Sequence, residues 1–414
     1  MLGGQRSGEE GNLMGIWRRA IALTAAMVGV TCWLVPAAPA GADAIFTVDS
    51  NGDQGDGNPG DGQCSVAPDG SGPCTLRAAV EEANASGGST SVTVPAMTID
   101  LGDALIVQDG VTLTISGAGA GLTVLDGPSR DTLLFVNGGA NVTVRGLTLT
   151  GSSDSGPAVL IYGTLLLDQV EVVGNENIDS DGTVVVASIM TDEGPFYGEL
   201  TVRRSTIADN SVEGDGGAIY APYEGVVIRV ENSTITGNRA GGPGGAIYAA
   251  EGTLELSFVT IAGNSSSRAG DGLYLEDNLT FRVTGSILQG DDQACIYDGD
   301  VDTVSGGGNV VADTSCALGA TNDREGADPQ LAPLADNGGP TRTMAIPAGS
   351  PAVDNALARG CPATDQRGVS RPQGAACDSG AYELEVAPPP TSTTTTVPGG
   401  AAEQAAQAQP RYAG

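Results

Sequence analysis

From Val92 onward the hydrophobic positions alternate with polar ones in short runs: VTV, TIDL, ALIV, VTLTI, LTVL, TLLFV and NVTVRGLTLTG. Each run is rich in β-branched residues and ends at Gly, Asn or Asp, which predicts short strands with one buried face. Between 200 and 290 the pattern repeats itself. STIADN at 205–210 returns as STITGN at 233–238, VTIAGN at 259–264 and GSILQG at 285–290, in steps of 28, 26 and 26 residues. GGAIY at 216–220 keeps pace as GGAIY at 244–248 and GDGLY at 270–274. VEVVGN at 170–175 and LTLTGS at 147–152 read as the same element, set apart by an insertion around 176–198. A period in the twenties with several strands per unit predicts an all-β, right-handed parallel β-helix (solenoid). At about 25 residues per coil, residues 92–320 hold roughly nine coils.

Alignment of the coils assigns the faces. Leu200 and Val202, Ile228 and Val230, and Leu254 and Leu256 fall in the core, and the positions between them face outward. Arg203 then lies beside Glu231 and Arg229 beside Glu255, as rungs of a surface charge ladder. Asn175, Asn210, Asn238 and Asn264 end equivalent strands. Asparagine tolerates the left-handed backbone of a corner, and stacked amides can bond along the axis, so these four are read as structural. Tyr220, Tyr248 and Tyr274 are equivalent on three consecutive coils. An outward column would make a ligand-binding platform for sugar faces or protein partners, and an inward stack is the plainer alternative.

The coils are flanked by unlike segments. Residues 45–90 form an N-terminal cap: a Gly- and Asp-rich loop leads into CTLRAAVEEANA at 74–85, where Leu76, Ala79, Val80 and Ala83 recur at helical spacing. Coils are expected over 91–290 and a polar, disulfide-containing C-terminal cap over 291–385. Residues 386–414 open with VAPPPTSTTTTVPGG and read as a Pro/Thr-rich linker and tail. Residues 1–42 read as a signal peptide with Met14 as the better start: two arginines, an apolar run from Ala20 to Val35, then Ala-x-Ala spacing around Ala42 and Ala44. The expected location is therefore extracellular or on the cell surface, with no membrane span in the mature chain.

An exported chain makes the cysteines informative. Six remain after the leader, and their clustering favours the disulfides Cys64 with Cys74, Cys295 with Cys316, and Cys361 with Cys377. Composition narrows the chemistry further. There are 18 Lys plus Arg, all of them arginine, against 50 carboxylates; histidine is absent, and the formal charge is −32. That charge argues against nucleic acid as a partner, and the lack of imidazole excludes histidine-based triads and His-ligated metal.

Two stretches resemble named domains. CTLRAAVEEANA, preceded by DSNGDQGDGNPGDGQC, resembles the CSLREA domain of exported bacterial surface proteins: Cys74, Leu76, Arg77 and Ala79 match, while Thr75 and Ala78 depart from the motif. DPQLAPLADNGGPTRTMAIPAGSPAVDNA at 328–356, followed by CPATDQRGVSRPQGAACDSGAYE at 361–383, resembles the choice-of-anchor Q domain. The GGAIY and Asn-terminated coils are similar to polymorphic outer-membrane-protein repeats. These resemblances imply location and architecture rather than a reaction.

The expected function is accordingly non-catalytic: adhesion or scaffolding by a monomer through a lateral face, with an extracellular glycan or surface protein as partner. The alternative is a lyase or glycoside hydrolase acting on an extracellular acidic polysaccharide. For that chemistry the only adjacent carboxylates of polygalacturonase type are Asp291 and Asp292. Calcium is the one cofactor considered, at Asp49, Asn51, Asp53 and Asp56, where oxygen ligands fall at EF-hand-like spacing without the closing glutamate.

Overall fold

The computed structural model describes residues 43–385 except 131, 154–155, 179, 192–193 and 358–359. The expected signal peptide and the Pro/Thr-rich tail lie outside the described residues.

The strands stack in parallel into a β-helix with three long faces. One face has ten strands, from Ala44–Thr47 to Val301–Gly307, and carries the arginines and glutamates. A second has eight, from Leu105–Val107 to Cys295–Asp298, and carries the tyrosines. The third runs from Thr98–Asp100 through Thr206–Ala208, Thr234–Thr236 and Thr260–Ser266 to Val310–Val311, and carries threonines. The eight-stranded face fixes about eight complete turns rather than nine. One reason is a long coil: Leu165 pairs with Leu200, 35 positions on. The extra length is an antiparallel hairpin, Ser188–Thr191 with Gly194–Tyr197, while Val184–Val186 before it is an ordinary strand of the tyrosine face. The insertion is thus narrower than the sequence suggested.

Alternation delivers the core as expected. Leu200, Val202, Ile228, Val230, Leu254 and Leu256 are all buried and stack coil upon coil. Each aliphatic side chain removed from water contributes on the order of 1.5–3 kcal/mol. The N-terminal end of the stack is closed by the helix Leu76–Ser86, whose N-cap Thr75 accepts from the Ala78 amide. Its buried residues include Leu76, Ala79, Val80 and Ala83, as the helical spacing predicted.

At one corner the buried asparagines form a continuous ladder. The Nδ2 of Asn175, Asn210 and Asn238 donates to the Oδ1 of Asn210, Asn238 and Asn264 in turn, at 2.9, 2.8 and 2.9 Å. Each receiving Oδ1 also accepts the backbone N–H of the asparagine before it. The amides therefore satisfy one another and the turn, which offsets the cost of burying them. Their own backbone is not left-handed. The residue before each one takes that conformation: Gly174, Asp209, Gly237 and Gly263, with φ between 56° and 69°. A second ladder uses hydroxyls, Ser205 N–H donating to Ser233 Oγ at 3.1 Å and Val170 N–H to Ser205 Oγ at 3.0 Å.

The C-terminal region is not only an end cap. After Arg324–Glu325 pairs with the last coil, the chain turns back and lies along the threonine face as a strap. Gln366 is its anchor. Its Oε1 accepts from Thr234 Oγ1 at 2.7 Å, and its Nε2 lies within 2.9–3.1 Å of Thr341 Oγ1, Thr206 Oγ1, Arg342 O and Ser205 O. Arg342 pairs with Glu171 at 3.1 Å, and the Ala381 and Gly380 amides donate to Thr260 Oγ1 and Gly285 O. Thr206, Thr234 and Thr260 point outward from the sheet and are buried because the strap covers them. Inside the strap, Arg371 and Glu383 pair at 3.1 Å with both side chains fully buried, and Arg371 lies 4.9 Å from the Phe258 ring centre.

Candidate binding face

The three faces meet solvent differently. The threonine face is covered by the strap over the coils from Glu171 to Gly285. The ten-stranded face presents Ser, Thr and the charge ladder. There the register pairs Arg203 with Glu231 and Arg229 with Glu255, as expected, but the ion pairs only partly follow it. Arg229 pairs with Glu199 and, at 3.1 Å, with Glu255; Arg203 turns the other way, to Asp168 at 2.9 Å. Asp168 is pushed up by burial, yet hydrogen bonds from Arg204 and Arg203 outweigh that and hold its carboxyl below the usual range. Such a carboxylate is the better partner for two cations than exposed Glu231 is for one.

The eight-stranded face is different. Its outward central column reads Ile106, Phe135, Leu160, Val185, Tyr220, Tyr248, Tyr274 and Ile296, every member in register with the next. The column is apolar or aromatic throughout and spans about 34 Å at the ~4.8 Å strand spacing. The tyrosines point outward, against the inward stack favoured from sequence, because these strands are only three or four residues long. Ile219 and Ala221, Ile247 and Ala249, and Leu273 and Leu275 take the inward positions on either side and are buried. The Gly-Gly turn before Tyr220 and Tyr248 brings successive coils close: a Cβ on Gly217 would lie 2.2 Å from Gly245 O.

The rings stack along the axis. Tyr220 and Tyr248 are 5.1 Å apart and tilted by 47°; Tyr248 and Tyr274 are 5.4 Å apart and nearly parallel, at 13°. Tyr248 is consequently only 8% exposed. Phe135 and Tyr162 make another ring pair at 5.7 Å. Carboxylates rim the column. Tyr274 donates to Asp298 Oδ2 at 2.6 Å, and Glu251, Glu276, Asp277 and Asp298 line a depression of about 240 Å³ with Pro222 and Ala250. Burial pushes the Tyr220 and Tyr248 phenols well above their ordinary range; for Tyr248 the hydrogen bond to Glu276 adds to it. The hydrogen bond to Asp298, with burial, pushes Tyr274 up to about 12. All three stay neutral donors at any physiological pH.

The other residues singled out from sequence have different roles. All three disulfides form as paired above: Cys64–Cys74, Cys295–Cys316 and Cys361–Cys377. The calcium candidates do not converge. Asp49 accepts the Cys74 amide, Asp53 pairs with Arg77 and accepts Gly102 N–H, and Asp56 accepts the Asn58 and Ser65 amides. Among the described residues no three His, Cys, Asp or Glu are grouped so as to hold a metal. The loop's demand for backbone acceptors, and Arg77 of the helix, take these oxygens instead. Asp291 and Asp292 are exposed beside the Cys295–Cys316 loop. Arg77 also reaches the carbonyls of Asp103 and Ala104, so this motif residue fastens the cap to the first coil. Sequence reasoning missed Gln366 and Arg371 as working residues. Their signal was the ordered DQRGVSRP block, which spacing alone does not explain.

The fold defines a disulfide-bonded β-helix repeat protein. The family model for the Chlamydia polymorphic membrane protein repeat matches residues 204–222 and 232–250. Each match runs from a corner of the charge-ladder face across one asparagine corner to the end of a tyrosine-face strand. No curated protein and no solved structure matches the chain. No helix among the described residues is long and apolar enough to cross a membrane.

Proposed function

We propose that this is a non-catalytic secreted or cell-surface protein whose tyrosine face serves adhesion or scaffolding. One observation carries the reading: of three lateral faces, one is covered by the strap and one is neutralised by its own ion pairs, while the third carries apolar or aromatic residues in register on eight successive strands, at least partly exposed at all but Val185 and Tyr248. Soluble proteins seldom leave a continuous apolar strip of this kind without a binding role. The surface location is supported by the matched polymorphic membrane protein repeat and by the resemblances of residues 74–85 and 328–383 to CSLREA and choice-of-anchor Q domains.

The test is incubation of the protein with acidic and neutral polysaccharides and with surface-protein extracts, following both retention and polymer chain length. Retention that is lost in a Tyr220→Ser/Tyr274→Ser variant supports the reading. Shortening of a polymer would replace it with the lyase or hydrolase alternative and direct attention to Asp291, Asp292, Glu276 and Asp298.

A further inference from the structure

Resting on that reading, we infer that the occupant of the tyrosine face is a polypeptide segment with Lys or Arg over one half and apolar side chains over the other. Three observations lead there. First, charge is segregated. The eight strands of this face contain Glu276 and Asp298 and no basic residue, and the charges acting on the three tyrosines are those of Asp181, Asp215, Glu276 and Asp298. The arginines that form ion pairs lie on the charge-ladder face, in the cap and in the strap. Second, the rings offer edges rather than faces. With Tyr248 nearly parallel to Tyr274 at 5.4 Å and only 8% exposed, the π-surfaces that a neutral sugar would stack on are occupied by neighbouring rings. The Tyr274 hydroxyl is likewise already bonded to Asp298. Third, a second copy of this chain would bring acidic rim against acidic rim in a molecule of formal charge −32.

What fits an apolar strip with carboxylate margins is an amphipathic cation. A Lys or Arg stem lies along Tyr220 and Tyr274, and its head reaches Glu276 or Asp298; the apolar half of the segment rests on Leu160 and Phe135, at the other end of the column. Extended peptide advances about 3.3 Å per residue, so a segment of about ten residues would span the column.

The experiment is fluorescence anisotropy of the full chain with a labelled peptide of about ten residues, Lys-rich in one half and Leu-rich in the other, and in parallel with a free-amine glucosamine oligomer. The expected result is peptide binding that Glu276→Gln/Asp298→Asn weakens roughly ten-fold. Glu231→Gln/Asp302→Asn, which removes the same charge from the opposite face, should change it less than about two-fold. Equal loss in both double variants, or no peptide binding, would overturn the inference. Binding of the glucosamine oligomer in place of the peptide would overturn it too, while leaving the lateral-face reading intact. If neither probe binds and no polysaccharide or extract component is retained, the lateral-face reading itself fails.

Discussion

Gln366 holds the strap to the solenoid, and replacing it separates the two without touching either core. In Gln366→Ala the Thr234 hydroxyl loses the acceptor it reaches at 2.7 Å and is left buried. The other contacts are partly redundant: Arg342 O keeps the Thr206 hydroxyl at 2.6 Å, and Ser205 O keeps the Thr234 amide at 3.0 Å. One orphaned hydroxyl costs about 1–3 kcal/mol, and the void left by the amide adds to it, so the total is roughly 2–4 kcal/mol. Gln366→Glu is nearly isosteric and should be worse, at roughly 3–5 kcal/mol, because a carboxylate would face two carbonyl oxygens with no cation directed at it. The assay is native-state hydrogen exchange at the amides that bridge strap and solenoid: Arg342 to Glu171, Gly380 to Gly285 O, and Ala381 to Thr260. These should exchange faster in both variants, more so in the glutamate, while amides of the strands Leu200 to Leu256 keep their protection. A glutamate variant as protected as wild type would refute the assignment of Gln366 as the anchor.

Three other outcomes are expected. Asn238→Ala interrupts the buried ladder and removes the Oδ1 that accepts from both the Asn210 backbone N–H and its Nδ2, which keeps only Val172 O; denaturant titration should show a loss of roughly 3 kcal/mol. Burial raises Asp378 to about 6, so the folded protein holds this proton more tightly than the unfolded chain does; its contribution to stability is full below about pH 4 and is lost as pH rises through about 6. Denaturant midpoints measured across that window should therefore fall less steeply in Asp378→Asn than in wild type. Replacing Cys361 and Cys377 together by Ser opens a loop closed over 16 residues and should lower stability by about 3 kcal/mol, read from thermal unfolding of the strap.

The distribution of legible and illegible features has a physical basis. The Asn ladder was legible because each amide contacts its equivalent one coil on, so repeat spacing and spatial contact coincide. The direction of the tyrosines was less so: period-two alternation states that Ile219 and Tyr220 face opposite ways, but a strand of three residues carries too few positions to say which is inside. Arg203 shows a similar limit. Register placed Glu231 beside it, whereas rotamer and burial chose Asp168. The acidic loop at Asp49 to Asp56 has ligand-like spacing, yet backbone amides of the cap and Arg77 claim its oxygens.

What the chain determines by itself is whatever is periodic or local: the solenoid, its stacked aliphatic core, the cap helix and the pairing of neighbouring cysteines. Short-range alternation and a repeat of 26–28 residues specify these without reference to distant parts. Only the tertiary structure decided which face remains open. That choice depends on Gln366 meeting Thr206, 160 residues away, and on a polar segment whose hydrogen bonds form only once the coils have built the surface that receives them.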